Sequence, residues 1–373
     1  MRTVSSRAST MKWRSKVLSQ SGFGLVEILI ALALGIAITL GISTLFTDTS
    51  RTLSDVTRAS QKMESAMYAL EIISNDVSQS GYWGEAGALT VADLATKVFF
   101  SGEDISAPPT GVSLPPNACA GTGNSGAKTE LGYAMAYPLL GQAGSLLTTE
   151  IDAGLCGGYS PAVDPNGTSE FVAVRRASTC AVGSDRCRAL DDFFHLQVNG
   201  CNNATESTGG TVKLYRVNTS DYTSILNYTD FNCSAAAPIY RYVSNIYYAD
   251  ANDDLVLLFL DISDGSFTYT AENIAQGIEL IRFQWFVDNA PTSPGDGKYD
   301  RVTTSPSEDD WEDVVAVKVW IVARDLTPEA GYTDSNTYTI AGNSWSVPAA
   351  NVSYRRTVQS KLIELANIGG PRR

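Results

Sequence analysis

The apolar positions of this chain fall into distinct textures. From Phe23 to Phe46 the sequence reads FGLVEILIALALGIAITLGISTLF, 24 positions with a single charge at Glu27. At 1.5 Å per residue a helix of that length spans about 36 Å, enough to cross a bilayer with some tilt. Further on, Met63, Ala66, Met67, Leu70, Ile73 and Val77 recur at helical spacing. No proline occurs between residues 1 and 107, and Gly81 is the expected stop. The spacing therefore predicts one helix over 23–80, about 87 Å long. Its first half is apolar all round and its second half buries one stripe.

After residue 81 the period changes to that of strands. Val314 to Ala323 reads VVAVKVWIVA, and Gly277 to Asp288 reads GIELIRFQWFVD, with Ile281, Phe283, Trp285 and Val287 on one face. Phe171-Val172-Ala173-Val174 and Phe194-Leu196-Val198 predict two more strands, joined as a hairpin. Residues 101–128 and 289–310 are rich in loop-forming residues, with Pro291, Pro294 and Pro306 in the second stretch. The expected fold class is α+β: a long N-terminal helix packed on an antiparallel β-sheet with large loop insertions. Neither a repeat nor a second domain boundary is visible after the helix.

Composition narrows the function. The 373 residues are 44% apolar and 18% charged, too apolar for a disordered chain. The net charge is −13, from 40 acidic and 27 basic residues. Residues 1–22 carry Arg2, Arg7, Lys12, Arg14 and Lys16 and no acid, so the remainder stands at −18. Nucleic-acid affinity rests on cationic contacts, so no direct nucleic-acid partner is expected. His195 is the one histidine, which excludes histidine-rich metal chemistry. It alternates with apolar residues in Phe193-Phe194-His195-Leu196-Gln197, the pattern of a half-exposed strand position. With no Gly-x-Ser-x-Gly elbow and one candidate base, an enzyme is not expected.

Five positive charges just before an apolar run keep that end cytoplasmic and send the body outward. An ordinary signal anchor would do this. A cleaved signal peptide is a rival, since Ala31-Leu32-Ala33 has the small-x-small form, but that site sits inside the apolar run. Neither explains Glu27. A carboxylate in a membrane helix costs a few kcal/mol unless paired or near the interface.

Gly22-Phe23-Gly24-Leu25-Val26-Glu27 resembles the processing site of type IV prepilins and type II secretion pseudopilins. The resemblance implies cleavage by a prepilin peptidase after Gly22, N-methylation of Phe23, and an assembly role for Glu27. The chemistry is consistent. Cleavage leaves an amine on Phe23 in a helix embedded in lipid, and a carboxylate can neutralise it there, from the neighbouring subunit or from its own chain. Gly24 departs from the Thr or Ser more usual in the family. Met11 offers an alternative start, which shortens the leader to MKWRSKVLSQSG. The implied division is a leader over 1–22, a membrane and assembly half of the helix over 23–46, an exported half over 47–80, and a β-rich body over 81–373. Gly35 and Gly41 would permit local melting or close helix packing; ordinary membrane-helix glycine is the equal alternative.

Later segments narrow the resemblance. Leu70-Glu71-Ile72-Ile73-Ser74-Asn75-Asp76-Val77 with Gly81-Tyr82-Trp83-Gly84 is similar to the end of the long helix in PilW-type minor pilins. Gln276-Gly277-Ile278-Glu279, Trp311 with Val314 to Val319, and Tyr354-Arg355-Arg356 resemble that family's later strands. The implied function is a structural minor pilin that primes type IV pilus assembly, sits at the tip, and supports twitching motility and adhesion. The implied partners are other minor pilins, the major pilin, a tip adhesin, the inner-membrane assembly platform and the prepilin peptidase. The implied location is the bacterial inner membrane as a single-pass protein, then the pilus. The alternatives are a J-type pseudopilin of type II secretion, or a membrane-anchored exported binding protein or enzyme.

Cys119, Cys156, Cys180, Cys187, Cys201 and Cys233 all lie outside the membrane segment. An even count in an exported body points to disulfides. Six cysteines allow 15 pairings, and pairing in sequence order is the expectation adopted. With no CxxC pair, zinc is the weaker alternative. No cofactor is expected. Two acidic sets offer oxygen ligands for calcium: Asp250, Asn252 and Asp254, and Asp288, Asp296 and Asp300. The first is no EF-hand, because Leu255 stands where glycine is needed. Solvated turn carboxylates are the plainer reading of both.

Overall fold

The structure is a computed structural model. It describes residues 22, 24–87, 89–90, 93, 98–100, 103–104, 116–119, 127–142, 156, 169–184, 187–201, 212–216, 225–263, 266–289 and 295–369. The chain divides into two units, Met1–Thr57 and Arg58–Arg373. The first helix, α1, runs Leu25–Ser78.

In the first unit, residues 25–57 are all exposed. An 18-residue window of α1 reaches a mean hydropathy of 2.6 with none of it buried, so the helix is long and apolar enough to cross a membrane. Thr39 and Thr44 donate their hydroxyls to the Gly35 and Gly41 carbonyls at 2.8 and 2.9 Å. Those hydroxyls are satisfied within the helix, as an apolar surrounding demands.

In the second unit the rest of α1 buries Ala66, Ala69, Leu70, Ile73, Ser74, Asp76 and Val77. This stripe is rotated from the one the sequence period suggested, adding Ala69, Ser74 and Asp76 and leaving out Met63 and Met67. Met63 and Met67 are 43% and 61% exposed, while Ala66 and Ala69 are fully buried. Small residues there let the helix backbone approach the strands. After Ser78 the chain turns at Gly81, whose φ is +72° and whose N–H donates to the Arg175 carbonyl. The expected stop is thus the turn that follows the helix.

Fifteen strands are described: β1 (Val98–Phe100), β2 (Glu103–Asp104), β3 (Leu139–Gln142), β4 (Phe171–Ala181), β5 (Phe194–Val198), β6 (Val212–Arg216), β7 (Ile239–Ala249), β8 (Asp254–Ser263), β9 (Ser266–Gln276), β10 (Ile278–Val287), β11 (Arg301–Thr303), β12 (Val314–Arg324), β13 (Thr337–Ile340), β14 (Asn343–Ser346) and β15 (Arg356–Glu364). A short helix, Ala127–Ala134, precedes β3. The α+β class stands, but the strands form three sheets where one was expected. One has nine strands, ordered β2-β1-β6-β5-β7-β4-β3, with β8 on β7 and β9 on β8. The second is β11-β10-β12-β15 and the third is the β13-β14 hairpin. All described pairings are antiparallel except β1 with β6.

β4 and β5 are not a hairpin. β7 lies between them and pairs with both, so the local pattern revealed the strands and not their long-range partner. The 289–310 stretch is also less irregular than expected, since it contains β11 and part of a 3₁₀ helix, Glu308–Asp313.

One core cluster joins α1 to both large sheets, through Ile73 and Val77, Phe171 and Val174, and Ile281, Phe283, Trp285, Val317 and Ile321. A smaller cluster of Leu280, Val322, Ile340 and Trp345 brings the hairpin residues together with β10 and β12. The alternation along β10 read from the sequence holds, with Ile281, Phe283, Trp285 and Val287 all at most 1% exposed.

Candidate functional site

The start of α1 is the site the sequence selects. Gly22 and Gly24 are described and have open space around them. Phe23 and residues 1–21 lie outside the described residues. Glu27 occupies the first turn, and its N–H donates to the Gly24 carbonyl at 3.0 Å. A carboxylate in a first turn complements the partial positive charge of the helix N-terminus. Its side chain is exposed and stands alone among Leu25, Val26, Ile28, Leu29 and Ile30, each at least 50% exposed. An isolated carboxylate on an apolar helix can do one thing well: attract a cation where the dielectric is low.

The body motifs have a different role, since they build the fold. Asp76, 6% exposed, accepts from Arg176 Nε at 2.6 Å, Asn245 Nδ2 at 2.6 Å and Tyr247 Oη at 2.9 Å. It fastens α1 to β4 and β7. Trp83 is fully buried and stacks on Tyr242 at 5.9 Å between ring centroids. Glu279 and Arg356, from two separate motifs, are partners. Arg356 donates Nε to Glu279 Oε2 at 2.6 Å and Nη2 to Oε1 at 2.9 Å, a bidentate pair. Its Nη1 also meets Asp334 Oδ2 at 3.2 Å, and all three side chains are at most 4% exposed. Trp311 packs edge-on to Trp285 at 4.9 Å.

Asp250, Asp288 and Asp296 each accept hydrogen bonds from their own loops. Asp250 Oδ1 accepts from the N–H groups of Asn252 and Asp254 at 3.0 and 2.9 Å, and Oδ2 from Asn252 Nδ2 at 2.9 Å. This closes the β7–β8 turn. Asp288 is buried, and its Oδ2 accepts from Gly297 N at 2.7 Å. Asp296 accepts from its neighbour Lys298 at 2.9 and 3.2 Å, and Asp300 is exposed. Among the described residues no group of three or more His, Cys, Asp or Glu could hold a metal ion.

The cysteines pair in sequence order: Cys119–Cys156, Cys180–Cys187 and Cys201–Cys233, with Cα separations of 5.2, 5.7 and 5.0 Å. The second closes the loop after β4. His195 is on a strand, as expected, but is fully buried and not half-exposed, because both faces of β5 are covered. Its Nδ1 lies 3.0 Å from the Phe193 carbonyl, and burial lowers its pKa, so it is neutral at pH 7.

Among the buried charges that escaped the sequence reading are Arg175 and Glu170. Arg175, fully buried in β4, donates to the carbonyls of Tyr137, Asn117 and Ala118 at 2.9, 2.7 and 3.2 Å. Glu170 accepts from Phe283 N at 2.8 Å, and its N–H donates to the Ile281 carbonyl, linking the segment before β4 to β10. Burial pushes its carboxyl up to about 7. Glu170 and Arg175 flank the apolar run Phe171–Val174, where a charge reads as an ordinary strand end.

The sequence of residues 246–367 matches the family described as Type IV Pilus-assembly protein W, PilW. No curated protein matches the chain. Among solved structures, a type IV-like pilin from Thermus thermophilus is similar at 10% identity, with 54% of this chain and 80% of that chain covered and a TM-score of 0.25. Over residues 246–367, then, this chain is similar to the PilW family, and the recognition first drawn from short motifs is borne out over that stretch.

Proposed function

We propose that this chain is a minor pilin of a type IV pilus. Prepilin peptidase cuts after Gly22, Phe23 becomes the methylated N-terminus, and Glu27 pairs with the N-terminal amine of a neighbouring subunit. Before assembly the helix is held in the inner membrane as a single span with its leader in the cytoplasm. After assembly it packs with the helices of the major pilin and other minor pilins, near a tip adhesin, on an assembly platform in the inner membrane. There it primes the pilus, and twitching motility and adhesion depend on it. The body serves as a folded cap and carries out no catalysis.

The observation that supports this best is a conjunction: a glycine–glutamate motif heads an exposed apolar helix, and the same chain ends in a PilW-like segment. Exchanging Glu27 for alanine tests it. Cleavage of the leader should persist, while the amount of this chain in sheared pili falls at least tenfold. Unchanged incorporation overturns the assembly role of Glu27.

A further inference from the structure

No large apolar side chain among the described residues is more exposed than Phe231, at 80%. A single exposed apolar residue is ordinary in itself. What sets Phe231 apart is how firmly its turn is fixed. The turn lies between Thr229 and Ala236, which form a β-bridge. Asp230 N donates to the Ala235 carbonyl at 2.8 Å, and Cys233 N donates to the Asp230 carbonyl at 2.9 Å. Asp230 Oδ1 accepts from Ser234 N and Ala235 N at 3.1 and 3.3 Å. A disulfide ties Cys233 to the fully buried Cys201. Cys233 itself adopts φ +56°, a left-handed conformation costly for a residue with a Cβ. On the inner side Gly200 N donates to the Thr229 carbonyl at 3.1 Å, and a Cβ at Gly200 would come within 2.6 Å of Phe231 N.

The fold thus spends a crosslink, a strained residue and an obligatory glycine on a turn whose tip holds a phenylalanine out in water. Aromatic side chains on rigid loops make effective anchors, because little entropy is lost when they bind. We propose that the Phe231 turn is a docking knob that inserts into an apolar pocket, rimmed by basic residues, on a different polypeptide. The basic rim follows from charge. Asp230 is the residue next to Phe231 in sequence, the Glu85 carboxylate reaches Gly200, and the whole chain carries −13. The same charge disfavours a second copy of this chain and an anionic lipid surface as occupants. This inference holds whether or not the chain joins a pilus.

The test places the photocrosslinking amino acid p-benzoylphenylalanine at position 231 of the full chain in the native host, followed by identification of the adduct. The partner so identified is purified, and its affinity for the full chain in detergent is measured. The expected result is an adduct with one other polypeptide, at a site flanked by Lys or Arg. Phe231→Ser should weaken that complex at least about tenfold, with no change in melting temperature. Tyr299→Ser, at another aromatic that is 56% exposed, should leave the affinity unchanged. Adducts confined to lipid or to this chain itself, no discrete adduct, or equal affinity for Phe231→Ser and the parent each overturn the proposal.

Discussion

At the scale of single residues, the buried charges are the informative positions. Arg356 neutralises Glu279 and lies against Asp334, so its removal strands two carboxylates in the core. Replacing Arg356 with methionine should destabilise the body by about 3–5 kcal/mol, the cost of breaking a buried pair by taking one partner. Denaturant unfolding of the full chain in detergent checks this, and a loss below about 1 kcal/mol would contradict the packing described. Glu170 gives a pH dependence of definite sign. Its folded-state pKa of about 7 lies above the ordinary value of 4.5. Its contribution to stability is therefore complete below pH 4.5 and is lost as pH rises through about 7, at about 1.4 kcal/mol per unit at most. Melting temperatures at pH 5 and pH 8 should converge in Glu170→Gln relative to the parent. Identical pH profiles in the two proteins would refute that assignment.

At the scale of elements, the long helix was legible because periodicity is a local property. Its limits, Leu25 and Ser78, fall within two residues of the 23–80 expected. The strand alternation in β10 was legible for the same reason. What the sequence concealed was partnership over distance. β4 and β5 were visible as strands, but the insertion of β7 between them depends on residues some 50 positions away, and no local pattern encodes that. The buried stripe of α1 differs from the expected one at Met63 and Met67, because a methionine at helical spacing reads as core, whereas the buried face keeps Ala66 and turns toward Ala69, Ser74 and Asp76. Paired substitutions separate the two versions. Ile73→Ala should cost about 2–5 kcal/mol, and Met67→Ser less than about 0.5 kcal/mol. Comparable losses at both positions would restore the original stripe. At the N-terminal site, Glu27 was legible because a lone charge in an apolar run has no quiet explanation. The Phe231 turn was not, since an exposed aromatic looks in sequence like any buried one.

At the scale of the whole molecule, the two ends of the chain have separate chemistries. The N-terminal unit exposes a helix whose apolar stretch, residues 25–46, holds one carboxylate, and the second unit is a disulfide-braced α+β body. Removing the Cys201–Cys233 bridge by a double serine exchange should cost about 2–5 kcal/mol. Non-reducing peptide mapping should recover all three sequential pairs, and any crossed pair would contradict this architecture. The short motifs of the body proved to be ion-pair and packing positions, which explains why they pointed to a family without exposing a reactive centre.

The account turns on whether the leader is removed and the helix begins at Phe23. Mass spectrometry of the N-terminal peptide from the native host decides this directly. A peptide starting at Phe23 and heavier by one methyl group is the predicted result; a chain that retains Gly22 and the basic residues before it, in cells with active prepilin peptidase, would contradict it.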